Sequence, residues 1–235
     1  MVRLNCKFDS YLGHHYVFKD LKVLFFYNFT FIKEYNIIIR KWWIMLKYVP
    51  MTEDNIYDMV KTQMEIFPTE CGYFQYNYAL SCGKDYWKYW LVYDDDNIVA
   101  ITGLYSDFDI EETNSIWLGW FGVKKEYRKN KIGTKVLEFT INEAYKLAEK
   151  YPIKYFRIYT STDINKTAQI LYQKIMDKDE EYNCPGDFNY DNTCRIWTKM
   201  LFNDEYVKWN NKCLNLNEIE KQEIIYEKIF KEKYK

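Results

Sequence analysis

The sequence predicts an α+β fold, a mixed sheet flanked by helices, and three observations carry that reading. From Met45 onward, apolar β-rich runs and helix-period runs follow in the order strand, helix, helical segment, hairpin, strand, helix, strand, helix, strand. One long run, "SIWLGWFGV" (115–123), passes through the basic stretch "KKEYRKNK" straight into a helix of 3.6-residue period. The competing nucleotide folds are disfavoured: among eight glycines there is neither G-x-G-x-x-G nor G-x-x-x-x-G-K-[ST].

Taken in order, "LKYVP" is a short strand stopped by Pro50, and Thr52 is the expected cap of a helix striped by Ile56, Val60, Met64 and Phe67. Pro68 ends that helix, and the tyrosine-rich "CGYFQYNYALSCGKDY" reads as a short helix or ordered loop. "WKYWLVYD" and "IVAITGLYSD", joined by the acidic turn Asp94-Asp95-Asp96-Asn97, form a β-hairpin. The third long strand spans Ser115 to Val123. After it, Ile132, Val136, Leu137, Thr140, Ile141, Ala144, Leu147, Ala148 and Tyr151 share one helix face, which ends before Pro152. "IKYFRIYTS" is a strand, and Asp163 is the expected cap of a helix carrying Ile164, Ala168, Leu171 and Ile175. An acidic connection, Asp177 to Thr193, leads to a last strand "RIWTKMLF". A charged C-terminal helix follows, with Asn217 and Glu220 spaced as a capping box and Glu227 four residues before Lys231.

Three divisions follow: an N-terminal extension at 1–44 of unassigned fold, a domain at 45–202, and a C-terminal helical extension at 203–235. The extension carries seven basic residues against three acids, about +4, and both histidines, His14 and His15. The whole chain has a net charge of −1, so a general nucleic-acid binder is not expected. The longest apolar run, Val23 to Ile32, is too short to span a bilayer. Six scattered cysteines without a C-x-x-C pair are expected to be reduced thiols of a cytoplasmic protein, with no metal site.

The basic turn is where chemistry concentrates. A helix N-terminus exposes unpaired amides and the positive end of the macrodipole, so the segment from Lys129 to Thr134 could cradle an anion. Arg128 and Lys131 would add charge, and Gly133 would let the backbone approach closely. The same pattern also fits a solvated turn that happens to precede a helix.

The run "WFGVKKEYRKNKIGTKVLEF" resembles the acetyl-CoA-binding motif of the GNAT N-acetyltransferases, in which Arg or Gln opens R/Q-x-x-G-x-G/A between a strand and a long helix. "DINKTAQILYQKIM" is similar to that family's later N-x-x-A-x-x-L-Y-x-K helix. The resemblance covers residues 45 to about 202 and implies a GNAT-like, mostly antiparallel sheet. Arg128 matches the first motif position and Gly133 the last, while Lys131 stands where the first glycine is usual. A positive φ there would cost a lysine about 1 kcal/mol. The Gly-Phe usual after the tyrosine helix is replaced by Ile175-Met176.

What the resemblance implies is specific. The strands carrying Val123 and Tyr159 should splay, with main-chain amides near Phe121 and Val123 pairing with the pantetheine of acetyl-CoA and polarising its thioester. Arg128, Lys129, Lys131, Ile132, Gly133 and Thr134 would hold the pyrophosphate, and Asn165 the pantetheine. Tyr172, on the same helix face as Asn165, would protonate the departing thiolate. Strand 115–123 holds no ionisable residue and the domain no histidine, so deprotonation of the amine is expected through water ending on Glu111 or Glu112.

The implied function is acetyl transfer from acetyl-CoA to a primary amine of a small molecule or peptide, without nucleic-acid or membrane partners. Six acids between Asp177 and Asp191, with the tyrosine-rich helix, point to a cationic amine. The alternative is a non-catalytic acyl-CoA-binding or protein-interaction module of the same fold. The C-terminal helix could pack on its own domain or on a second subunit as a homodimer.

Overall fold

The computed structural model describes residues 45–106, 114–161, 166–183, 193–209 and 227–234. The chain divides into two units, Met1–Ile44 and Met45–Lys235. The expectations placed on residues 1–44, Glu111, Glu112, Asp163, Ile164, Asn165, Asp187, Asp191, Asn217 and Glu220 lie outside the described residues.

The second unit runs β1 (Leu46–Pro50), α1 (Ile56–Ile66), α2 (Tyr73–Ser81), β2 (Lys88–Asp94), β3 (Asn97–Tyr105), β4 (Ser115–Val123), a 3₁₀ turn (Lys125–Tyr127), α3 (Ile132–Ala148), β5 (Tyr155–Ser161), α4 (Lys166–Ile175), β6 (Lys178–Asn183) and β7 (Thr193–Met200). A final helix, α5, covers residues 227–233. The strands form one mixed sheet in the order β1-β2-β3-β4-β5-β7-β6. All neighbours are antiparallel except β4 and β5. None of the described helices is long and apolar enough to cross a membrane.

The expected strands and helices form for the reasons their patterns give. The β2–β3 hairpin turns between Asp94 and Asn97, with Asp95 at φ +52°, a conformation that a short polar side chain tolerates. Along α3 the stripe Ile132, Val136, Leu137, Thr140, Ile141, Ala144 and Leu147 is buried. It packs with Leu104, Ile116, Phe156, Ile158 and the α4 residue Tyr172 on one face of the sheet. The opposite face is covered by α1 and α2, where Met59, Val60, Tyr73 and Tyr76 meet Tyr89, Leu91 and Ile101.

Three local expectations are corrected and one left open is decided. Thr52 does not cap α1: the capping position is Asn55, whose side chain accepts from the Thr52 N–H at 2.8 Å and donates to the Pro50 carbonyl at 3.0 Å, shaping the turn before the helix. The first part of the acidic connection after Met176, Lys178–Asn183, is a strand, β6, whose acids pair across the hairpin. Arg195 on β7 bonds Glu181 and lies 3.7 Å from Asp179, while Asp177 accepts from Lys199 at 2.7 Å. Cys71 and Cys82 are not disulfide-bonded, but the buried Cys194 is, against the expectation of six reduced thiols. The C-terminal helix packs on its own domain: Phe230 joins the α1–α2 core and its ring lies 5.2 Å from that of Tyr73.

Two glycines are required by packing. Gly103 and Gly119 face each other across β3 and β4, and the Tyr89 ring lies over both. A Cβ on Gly103 would stand 2.1 Å from a Tyr89 ring carbon. Gly103→Ala should therefore destabilise the domain by about 1–3 kcal/mol, despite alanine's better strand propensity, and lower its Tm by several degrees. Thermal unfolding checks this; an unchanged Tm would mean that Tyr89 moves aside without cost.

Candidate active site

The site begins where the sheet comes apart. β4 and β5 pair only over Ser115↔Tyr155, Ile116↔Phe156 and Trp117↔Arg157, although both strands continue beyond. On its other edge β4 stays with β3 through an irregularity: Gly119 opposes Gly103 and Gly122 opposes Ile101, so Trp120 and Phe121 together face Thr102. Such a bulge bends the strand that carries the extra residue. The splay expected between the Val123 and Tyr159 strands is thus present.

Antiparallel alternation tells which groups face the opening. The Lys124 N–H donates to the Val99 carbonyl at 2.9 Å, so the next pair, Ala100↔Val123, is a non-hydrogen-bonded one. The Val123 N–H and C=O consequently point away from β3, to the side that β5 has left. The carbonyl is taken by Arg128, whose Nε donates to it at 2.9 Å. Arg128 therefore stitches the turn to the strand end while its outer nitrogens make no hydrogen bond among the described residues.

The turn itself is a 3₁₀ step in which the N–H groups of Tyr127 and Arg128 donate to the Lys124 and Lys125 carbonyls. The first backbone bond of α3 is from the Lys135 N–H to the Lys131 carbonyl at 3.2 Å. The amides from Lys129 to Thr134, those of Ile132 and Gly133 included, are free among the described residues, at the positive end of a 17-residue helix. Lys124 is held by Glu65 at 2.6 Å, whereas Lys129 and Lys131 are exposed. Lys131 caps α3 at φ +60°, ψ 9°, and Lys129 also has a positive φ, 68°. Gly133 is helical, and a Cβ there would meet only Val123 and Leu171 side chains at 3.7 Å. It needs no special conformation; what it supplies is a flat surface between the strand end and α4.

Tyr172 lies on the same face of the sheet as α3. It is 4% exposed, between the rings of Phe121 and Trp197 at 6.2 and 6.0 Å. Its hydroxyl makes no hydrogen bond among the described residues, and burial pushes its pKa well above the ordinary value near 10. A neutral phenol with an unused O–H is a proton donor. The structure thus brings together Phe121, Val123, Arg128, Lys129, Lys131, Ile132, Gly133, Thr134 and Tyr172; the remaining expected residues, Glu111, Glu112 and Asn165, are among those outside the described set.

These groups fit a ligand with an anionic end and a slender arm: free amides and exposed cations at the helix start, then a backbone edge in the gap, then a buried phenol. The fold is a mixed-sheet α+β domain that opens beside a helix start. The family model for the Acetyltransferase (GNAT) family matches residues 54–177, and the chain belongs to that family. It is an acyltransferase with acetyl-CoA as cosubstrate. Among solved structures it is similar to the ribosomal-protein-S18-alanine N-acetyltransferase of Escherichia coli, at TM-score 0.52 and 11% identity over 70% of this chain and 100% of that one. A GNAT acetyltransferase of Streptococcus pneumoniae gives TM-score 0.50 and 15% identity over 66% and 99% of the two chains. Naa50 of Arabidopsis thaliana, solved with the bisubstrate analogue CoA-Ac-MVNAL, gives 0.50 and 17% over 66% and 97%. No curated protein matches the sequence.

Sequence reasoning missed Trp120 and Tyr76. The Trp120 Nε1 and the Tyr76 hydroxyl are both buried without a hydrogen-bond partner among the described residues, on the face of β4 opposite Tyr172. The signal present was "GWFG", an aromatic pair between glycines, which marks close packing on both faces.

Lys131→Gly should relieve the left-handed strain and raise stability by about 1 kcal/mol, a Tm gain of roughly 2–4 °C. Lys131→Ala removes the same charge but keeps the strain, so it should show only the smaller gain that comes from taking a cation off the helix N-terminus. Thermal unfolding of the pair separates backbone from charge, and equal gains in both would assign the effect to charge.

Proposed function

We propose that this chain transfers the acetyl group of acetyl-CoA to a primary amine by direct attack, with Tyr172 protonating the departing thiolate. The single observation that carries the reading is the hydroxyl of the buried Tyr172 side chain, with no hydrogen bond among the described residues, set beside the gap where β4 and β5 part.

Acetyl-CoA supplies an activated acyl group on a thiol leaving group. The amides from Lys129 to Thr134, with Arg128, Lys129 and Lys131, would hold its pyrophosphate. The Val123 N–H would pair with its arm. Backbone donors fixed before the reaction stabilise developing negative charge without reorganising. Phe121 and Trp197 keep water from the Tyr172 ring. With no histidine after His15, the amine loses its proton through water, and Glu111 or Glu112 is the proposed terminal carboxylate. Asn165 is proposed beside the arm.

The acceptor is a small-molecule or peptide amine. The selection of a cationic amine by acidic residues has less support: Asp177, Asp179, Glu180 and Glu181 are engaged by Lys199, Arg195 and Tyr182, leaving Asp187 and Asp191 to carry it.

Tyr172→Phe should lower kcat roughly a hundredfold while leaving the KM for acetyl-CoA nearly unchanged. Because burial raises the phenol's pKa, the wild type should keep the donor protonated, and kcat should show no alkaline limb at the ordinary tyrosine value near 10. Thiol release over a panel of amines checks both. Full turnover by the phenylalanine variant at every pH would remove Tyr172 from the reaction.

A further inference from the structure

One helix of the domain lies beyond the segment that the family model matches, 54–177, and yet completes its core. Phe230 of α5 is 7% exposed and packs among Ile56, Met59, Val60, Cys71 and Tyr73. Its ring stands 5.9 Å from that of Tyr57 on α1 and 5.2 Å from that of Tyr73 on α2, so one side chain bridges the two helices. A second grip adds to the first: the Lys233 Nζ donates to the Tyr73 hydroxyl at 3.3 Å, with the Tyr234 ring 5.2 Å from that of Tyr57. Both Phe230 and Lys233 fasten the first residue of α2.

The residues just before Tyr73 form a turn against β4. Gly72 lays its backbone on the Trp120 indole, since a Cβ there would stand 2.6 Å from Nε1. Gln63 ties the same turn to α1: its side chain accepts from the Gly72 N–H at 2.9 Å and donates to the Glu70 carbonyl at 3.1 Å. Ile66 and Phe67, at the end of α1, lie over Gly122. Packed groups thus run from Phe230 through Tyr73 and Gly72 to the β4 bulge, where the next residue, Phe121, meets Tyr172.

We infer that Phe230 is a positioning residue for the amine: α5 fixes the α1–α2 turn against the β4 bulge, so that the face of β4 opposite Tyr172 is shaped before the amine arrives. This rests on the acetyl-transfer reading. The groups that would hold acetyl-CoA, at the start of α3, on the free edge of β4 and at Tyr172, do not pack with α5 among the described residues. Tyr172 would meet the departing sulfur on the α3 side, so the amine attacks from another side of the carbonyl, and α1 and α2 wall the face that is left. A turn held rigid in advance spares the amine the cost of ordering it on binding. Loosening α5 therefore weakens the amine and leaves the cosubstrate alone.

The test uses the full chain with Phe230→Ala and Phe230→Leu. In hydrogen exchange read by mass spectrometry, Phe230→Ala should speed the amides of residues 69–76 roughly tenfold while α3 and α4 keep wild-type rates, and Phe230→Leu should restore most of the protection. Unchanged exchange at 69–76 overturns the inference; so does an equal rise in α3, because α5 would then support the whole fold alike. In thiol release with alaninamide and with 1,4-diaminobutane, Phe230→Ala should raise the KM for the amine roughly tenfold and hold the KM for acetyl-CoA within about twofold. An unchanged amine KM, or both constants rising together, also overturns it. Should Phe230→Ala not fold, Lys233→Met, which removes the lysine's grip on Tyr73, carries both comparisons with an effect of about twofold. If the wild type releases no thiol with either amine, it is the transfer reading that fails, and the exchange comparison alone then decides whether α5 holds the turn: local loss of protection supports it, and no local loss overturns it.

Discussion

The constraint on which this domain depends is the pairing of one strand edge. β4 is held by β3 along its length but by β5 for only three residue pairs, so its later backbone groups face an opening with no ladder partner. Buried N–H and C=O groups are normally all satisfied. Here Arg128 takes one of them, the Val123 carbonyl, while the N–H beside it faces the opening without a partner among the described residues. The bulge at Trp120 and Phe121 bends the strand where this opening begins, and ordinary strand alternation turns its two aromatic rings to opposite faces. One ring lines the Tyr172 side, the other the α1–α2 side. Neighbouring residues of one strand thereby line two separate cores.

Most of this architecture could be read from periodicity. The α3 stripe from Ile132 to Leu147 was legible because one wide apolar face and a proline stop leave little choice. The hairpin at Asp94–Asn97 was legible for a similar reason, a polar turn between alternating runs. β6 was not: "KDEEYN" has the composition of a loop, and it becomes a strand only because Arg195 on the neighbouring strand answers its acids. Asn55 was missed for another reason. Thr52 has the right chemistry for a cap, but the turn geometry gives the capping place to the residue three positions on, whose side chain ties back to Thr52 itself. Charge pairing across strands and side-chain bonds within a turn are tertiary facts, and sequence spacing does not contain them.

The site was legible as an order of elements and illegible as a set of contacts. Strand end, basic turn and helix start were readable, as was Tyr172 through its family pattern. That Arg128 would spend its Nε on a backbone carbonyl could not be read, since the sequence shows a cation and not its reach. Nor could the bulge, which depends on a register between Gly103 and Gly119 set by the Tyr89 ring that both glycines admit. Packing chose that register, and the register then determined which side of β4 each aromatic ring would serve.

Lys131 shows how these levels interact. In the free protein it is doubly unfavourable: a side chain at positive φ costs about 1 kcal/mol, and a cation beside a helix N-terminus opposes the macrodipole by a further 0.3–1 kcal/mol, about the same order. A glycine would avoid both. On the proposed reading, an anion at the turn reverses the second of these costs, because the lysine then sits against opposite charge at the place where the free amides converge. The backbone strain is untouched by binding, so it persists as a fixed cost of keeping a cation at that point of the turn. Arg128 can share the task only through its outer nitrogens, since its Nε already secures the strand end. The turn therefore divides two roles between neighbouring cations, one fastening the backbone and one exposed beside the free amides.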